Sequence, residues 1–249
     1  MAAQQRTFAF SVGGIVGSSF KIWGRNLLPF TVLAALIFSP LIVYTVILMG
    51  SALTKKDFQT YSIVMFYGSS ILGFIATGAI TYGVVRQLQG EPASIGASIG
   101  VGLGRLLPVL GVGIMVGLIV FLGSLLLVIP GIYWMCTYYV AVPVAVIEKA
   151  GGSDSLRRSK ELTKGNLGNI FAVVLLFGLL GLAVGLAVDR FVVGEIETLA
   201  QTHRSMVLNL VQTILFAGGL GPVANALIYY ELRRAKEGVS LDELAKVFE

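Results

Sequence analysis

The hydrophobic positions of this chain fall into six long runs, each close to the ~20 apolar residues that a helix needs to cross a bilayer core. The runs cover roughly 27–50, 60–86, 106–128, 131–148, 167–188 and 206–231. Between the third and fourth, Ile129-Pro130-Gly131 leaves almost no connection. Proline is expected to end one helix there and glycine to permit the turn, which makes the two helices an antiparallel hairpin. Three shorter segments precede the odd-numbered runs: SSFKIWGRNLLPF (18–30), IGVGLGRLLPV (99–109) and SKELTKGNLGNIF (159–171). Each places apolar residues at helical spacing, then a basic residue with glycine, then leucine entering the apolar run. The pattern predicts an all-α polytopic membrane protein of six transmembrane helices, arranged as three helical hairpins each preceded by an amphipathic interfacial helix. The chain reads as a single integral membrane domain over 1–249, with repeat-like units at about 8–88, 92–149 and 152–234 and an amphipathic tail at 238–249.

Composition supports lipid as the solvent: 56% of the residues are hydrophobic, 12% are charged, and the mean hydropathy is +0.87. The 31 glycines fit close helix contacts within a bilayer. The single cysteine, Cys136, lies inside an apolar run, so a buried structural thiol is expected and no disulfide framework is possible. No apolar stretch followed by a small-residue cleavage site precedes the first run, which argues against a removed signal peptide.

Positive charge decides orientation, because Lys and Arg resist translocation. Fourteen of the 18 basic residues fall on one side of the six runs, and only Lys55, Lys56, Arg190 and Arg204 fall on the other. Both termini are therefore expected in the cytoplasm, in a bacterial inner membrane. The net charge of +5 raises nucleic acid as a partner, but the basic residues cluster beside apolar spans, which points away from it.

That basic collar supplies the candidate binding residues: Arg157, Arg158, Lys160 and Lys164 in the third interfacial segment, with Arg25 and Arg105 in the first and second. Each could attract anionic lipid with ~1 kcal/mol, or serve only as a topology anchor. Ser153 or Asp154 is expected to cap the third segment. Glu148 and Glu231 each end an even-numbered run beside basic residues, and an ion pair to the following interfacial helix would pin each unit at the surface.

Catalytic chemistry needs converging titratable groups, and no such constellation is readable. The lone His203 is expected in a solvated loop near Asp189, Glu195 and Glu197, with no metal site. No G-x-S-x-G elbow with a histidine partner and no phosphate loop occurs. A headgroup enzyme would have to assemble Glu148, Asp154, Arg157 and Arg158 into one cluster. No ionisable residue falls in the middle of a span, which counts against proton coupling. Neutral polar residues do fall there, among them Thr77, Thr81, Thr137, Tyr138, Tyr139, Asn209, Gln212, Thr213 and Asn225. They serve interhelical hydrogen bonds or line a polar path, and Pro40, Pro143 and Pro222 are expected to kink their helices.

Pro130-Gly131-Ile132-Tyr133, Ala141-Val142-Pro143, Val146-Ile147-Glu148, Ser155-Leu156-Arg157-Arg158-Ser159 and Leu162-Thr163-Lys164-Gly165-Asn166 together resemble bacterial membrane proteins known as the membrane domain of glycerophosphoryl diester phosphodiesterases, and related six-span families. The resemblance covers about 40 residues. It implies a fold rather than a reaction, since the phosphodiesterase chemistry of that family belongs to a separate soluble barrel with paired histidines and metal-binding carboxylates.

The functional expectation is a non-enzymatic inner-membrane protein, without cofactor or metal. It would engage anionic phospholipid through its basic collar, in lipid homeostasis or in assembly with a membrane-protein partner or further copies of itself. The alternative is a small transporter or lipid-translocating protein. A mid-membrane cavity lined by Thr, Asn and Gln would favour the alternative, and a dry core would remove it.

Overall fold

The computed structural model describes residues 11–50, 55–88, 95–193 and 199–238, and every regular element among them is helical. The helices α1 (Val12–Arg25), α2 (Leu27–Ile37), α3 (Ser39–Met49) and α4 (Lys55–Leu88) come first. Next are α5 (Ile95–Gly104), α6 (Leu106–Leu126), α7 (Val128–Thr137) and α8 (Ala141–Ile147). The last set is α9 (Gly152–Thr163), α10 (Leu167–Val188), α11 (Leu199–Leu215) and α12 (Gly221–Glu237). Five helical stretches are long and apolar enough to cross a membrane, and a sixth counts when α1 and α2, bent by 85°, are taken as one span. The protein is a multi-pass, all-α membrane protein. At ~1.5 Å per residue α4 is about 51 Å long, well beyond a ~30 Å hydrocarbon core, so it tilts or projects past the lipid.

A single backbone device joins each short helix to the span that follows. Asn26 (φ −117°, ψ 27°), Arg105 (φ −115°, ψ 11°) and Asn166 (φ −122°, ψ 11°) each leave the helical region for one residue. Each carbonyl then accepts the first hydrogen bond of the new helix, from Phe30, Val109 and Ile170 at 3.0, 2.9 and 3.0 Å. The residue four positions after each joint is a core side chain, as is the one seven after: Phe30 and Leu33, Val109 and Val112, Ile170 and Val173 are all at most 1% exposed. Seven positions before each joint stands a buried serine, Ser19, Ser98 or Ser159. The third joint is tightened by Gly165, whose φ of +89° suits a residue without a β-carbon.

The short helices differ in character. In α1 the buried Ile15, Ser19 and Ile22 recur at helical spacing and leave Lys21 and Arg25 exposed. In α9 the inner side is Ser155, Ser159, Leu162 and Thr163. Helix α5 carries no charged residue, and Arg105 at its end supplies the basic element. The start of α9 is not capped by Ser153 or Asp154: Gly151 is the cap, and Asp154 sits in the first turn, where its charge favours the positive helix end.

The third span turns into the fourth at one extended residue, Leu127 (φ −161°, ψ 149°), rather than at Pro130-Gly131. Pro130 lies in the first turn of α7, where a missing N–H costs nothing. Gly131 serves packing instead, since a β-carbon there would stand 3.0 Å from the Ser124 Cα and 2.1 Å from its hydroxyl. The exposed leucines and isoleucines at this turn, Leu125 to Ile129, face lipid.

Proline breaks three spans. Pro40 follows the break at Phe38 that separates α2 from α3, and Pro222 follows a π-helical turn over 216–220. Pro143 leaves the Tyr139 carbonyl without its helical donor, and the Asn225 side-chain amide supplies one at 2.8 Å. The Ala141 N–H has moved to the Tyr138 carbonyl at 3.1 Å, and the freed Thr137 carbonyl accepts from Ser159 Oγ at 2.9 Å and Thr163 Oγ1 at 3.0 Å. Helix α9 is thus fastened to the broken fourth span by hydroxyls. Cys136 is buried beside this break and is a free thiol.

Candidate functional site at the basic face

Two arrangements occupy the face where the joints lie. The first is an ion cluster built from the end of α8, the middle of α9 and the last turns of α12. Glu148, the residue closing α8, accepts from Arg158 Nε at 2.9 and 3.2 Å and from Tyr229 Oη at 3.0 Å. Arg158 also donates through Nη2 to Glu237. Glu237 in turn accepts from Arg233 Nε at 2.9 Å, and Arg233 donates to Tyr229 Oη at 3.2 Å. The Arg233 guanidinium lies 5.9 Å from the centre of the Tyr229 ring and 3.8 Å from Glu148. Nearby, Lys236 Nζ donates to the Lys164 carbonyl at 2.7 Å and to that of Glu161.

The four charged members are about three-quarters buried or more, and their charges balance. Burial disfavours the charged form of Arg158, but its bonds and proximity to Glu237 and Glu148 prevail and raise its pKa above the ordinary arginine value. Burial likewise works against ionised Glu237, yet the two guanidinium groups hold its pKa below the usual 4.5.

The second arrangement is an open cleft of about 380 Å³ beneath α1, bounded by the end of α4 and by α12. Ile15, Ile22, Leu88 and Leu227 form its apolar floor, and Ser11, Ser18, Lys21, Arg25, Gln87 and Glu231 its polar wall. Lys21 and Arg25 are four residues apart and so share one side of α1. Among the described residues neither forms an ion pair.

The collar is therefore not one surface. Arg158 belongs to the internal cluster, while Arg157 pairs with Asp154 at 3.1 Å on the exposed side of α9. Glu148, Asp154, Arg157 and Arg158 form two separate pairs rather than one reactive group. Lys160 and Lys164 are exposed, Arg105 is half-buried at the second joint, and Arg25 lines the cleft. Glu148 does pair with the interfacial helix that follows it. Glu231 instead pairs with Arg234 of its own helix at 3.7 Å; residues 239–249, where its expected partner helix falls, lie outside the described residues. His203 is not in a loop but inside α11, half-buried, with its Nε2 buried. No group of three or more potential metal ligands occurs among the described residues; Glu195 and Glu197 fall outside them.

Residues 103–236, which contain the ion cluster except Glu237, match a family model described as a domain of unknown function. The chain belongs to that family, DUF8558. No curated protein and no solved structure matches the chain. Within the DUF8558 match lie the second and third joints, the hairpin turn at Leu127 and the Pro143 break. Helix α1 and its cleft lie mostly outside it.

Sequence reasoning missed Tyr229, Arg233 and Glu237. They are more than 70 residues from Glu148 and Arg158, and no local spacing signals the meeting. Of the buried serines seven residues before each joint, Ser19 and Ser159 lie in the recurring segments 18–30 and 159–171, whereas Ser98 stands one residue before the segment 99–109.

Proposed function

We propose that this protein binds anionic phospholipid at its basic face, with the cleft beneath α1 as the seat of the headgroup. The observation that carries the reading is the pair Lys21 and Arg25, two cations without an ionic partner among the described residues, above an apolar floor. A phosphate there would satisfy both, while acyl chains would follow Ile15, Ile22 and Leu227 toward the bilayer. The serine hydroxyls and the Gln87 amide offer further hydrogen bonds to phosphate and glycerol oxygens. The excess of basic residues on this face supports a cytoplasmic side for it and for both termini, in a bacterial inner membrane. The role is binding and organisation of lipid rather than catalysis. Kinship with the membrane domain of glycerophosphoryl diester phosphodiesterases is part of the same proposal.

The test is the lipid retained by the full-length protein after purification and exchange into nanodiscs of phosphatidylcholine containing graded phosphatidylglycerol. Wild type is expected to enrich phosphatidylglycerol, with enrichment that weakens as salt rises. Lys21→Gln/Arg25→Gln should lose about 1 kcal/mol per charge, roughly fivefold each. Arg158→Gln, whose partners are internal, should retain the preference. Equal enrichment in wild type and the double variant would refute the cleft as the seat.

A further inference from the structure

A second feature lies on the other side of the apolar core, in the half of the molecule away from the basic face. A chamber of about 420 Å³ opens at mid-span between α4, α6, the break in the fourth span, and α12. Ser69, Ser70 and Thr77 of α4, the backbone turn at Tyr138-Tyr139, and Asn225 of α12 supply its polar lining. Ser69 is shared with an outer groove of about 320 Å³ that reaches Ser62, Ser205, Asn209 and Thr213. That groove shares Phe66, Ser205 and Asn209 with a recess of about 820 Å³ extending to Gln212 and Asp189. Sharing these lining residues, the three spaces adjoin and line up as a candidate route from the end of α10 to mid-span. Toward the basic face the route meets the largest cluster of buried apolar side chains, among them Ile80, Val84, Val144, Val223 and Leu227.

Several hydroxyls of the lining donate back to the helix that carries them. Ser62 Oγ donates to the Phe58 carbonyl at 3.0 Å, Ser69 and Ser70 donate to the Phe66 carbonyl at 3.2 and 2.8 Å, and Thr77 donates to the Gly73 carbonyl at 2.8 Å. One amide hydrogen of Gln212 and one of Asn225 are taken by the Gly181 and Tyr139 carbonyls, at 3.0 and 2.8 Å. The serine and threonine hydroxyls, their hydrogens engaged, keep lone pairs free to accept. At the chamber, Asn225 Oδ1 is buried and accepts no hydrogen bond, a state that a polar atom seldom keeps without a partner. No basic residue is among the described residues of the route, and the one carboxylate, Asp189, stands at its far end.

We infer that this acceptor-lined chamber binds a hydrogen-bond-donating group, an ammonium or a hydroxyl, that enters from the face opposite the basic collar. An anion would find no cation among the described residues there. An apolar occupant would leave Asn225 Oδ1 unpaired. The donor can arrive on a small solute or on the headgroup of a lipid, and the same chemistry serves either source. The site is separate from the α1 cleft, so neither reading depends on the other.

Cysteine labelling tests it, because thiol reagents act on the thiolate, which water supports and lipid suppresses. In a Cys136→Ala background, Ser69→Cys and Ser70→Cys are to be labelled with a membrane-impermeant charged reagent in phosphatidylcholine nanodiscs, beside a lipid-facing control, Leu118→Cys. Both chamber positions should label at least tenfold faster than the control. Ethanolamine should slow that labelling at least threefold, whereas tetramethylammonium, equal in charge but without a donor, should not. Replacing phosphatidylcholine with phosphatidylethanolamine should give the same protection without added solute if a lipid headgroup is the source; protection by ethanolamine alone assigns a solute. Thr77→Val, which removes a lining acceptor but no interhelical bond, should weaken the protection, and Asn225→Leu should abolish it. The inference is overturned if chamber cysteines label no faster than Leu118→Cys, if ethanolamine and tetramethylammonium act alike, or if both variants keep full protection.

Discussion

Replacing Glu148 by glutamine tests whether the ion cluster holds α9 and α12 to the fourth span. The carboxylate receives two contacts from Arg158 Nε and one from Tyr229 Oη, and is about one-fifth exposed. A hydrogen bond to a charged group contributes about 1.5–3 kcal/mol, whereas an exposed ion pair contributes at most ~1 kcal/mol. Glutamine keeps the shape and one acceptor oxygen, so part of the bonding survives, but two guanidinium groups are left around the single carboxylate of Glu237. A loss of about 2 kcal/mol follows, near a 30-fold change in the folded-to-unfolded ratio. Arg158→Gln should cost more, about 3 kcal/mol, because it removes bonds to both carboxylates. The double variant should fall short of the sum by about 1 kcal/mol, since the two residues share a bond. Denaturant titration in mild detergent, followed by helix content, measures all three, with Arg157→Gln as the exposed control expected within ~0.5 kcal/mol of wild type. If Glu148→Gln is no worse than that control, the cluster does not fasten these helices and the reasoning fails.

Three further outcomes follow. Because the Glu237 pKa is lowered on folding, its contribution is complete above the ordinary carboxylate value of 4.5 and is lost as pH falls through the lower folded value. Thermal stability should accordingly hold from pH 8 to 6 and drop below about 4.5, with a smaller drop in Glu237→Gln. Ser159→Ala/Thr163→Val removes both hydroxyl donors from the buried Thr137 carbonyl and should destabilise by about 1–3 kcal/mol, read by the same titration; each single variant should cost distinctly less. Gly131→Val places a branched side chain against Ser124; it should destabilise by about 1–3 kcal/mol or more and raise proteolysis at the α6–α7 turn, whereas Gly117→Ala, with open space at its β-carbon, should do neither.

Span positions were legible because lipid forces long apolar runs: five of the six expected stretches coincide with helices long enough to cross a membrane, whereas the first, 27–50, is split at Phe38 into α2 and α3, and the bent pair that could count as a sixth span is α1 with α2. The interruptions were legible only in part. Pro40, Pro143 and Pro222 announce weak points, yet the Thr137 and Tyr139 carbonyls that Pro143 sets free are satisfied by Ser159, Thr163 and Asn225, 22, 26 and 86 residues away. Hydropathy carries no information at such separations. The recurrence before the odd-numbered spans was read in the basic residues, Arg25, Arg105 and Lys164. What recurs in the structure is a backbone joint at Asn26, Arg105 and Asn166, where charge is incidental and the non-helical φ and ψ are shared. Arg158 was read as lipid-facing because α9 is rich in basic residues on one side; the side chain turns inward because two carboxylates meet it there.

The ion cluster and the α1 cleft are best understood against each other. Helices α1 and α9 both lie beside α12 and both precede a joint of the same geometry, so each leaves a space between an interfacial helix and the last span. At α9 that space is filled by protein anions: Glu148 and Glu237 neutralise Arg158 and Arg233, and the four charges cancel. At α1 the space is an open cleft that Lys21 and Arg25 share, among the described residues, with one carboxylate, Glu231, itself drawn to Arg234. The carboxylates at α9 thus show what an anion accomplishes between these helices, bridging an interfacial helix to α12 where hydrophobic contact alone leaves a gap. A lipid phosphate beneath α1 would perform the same bridging with an external group. The strength of the α1–α12 contact would then depend on lipid composition, while the α9–α12 contact would not.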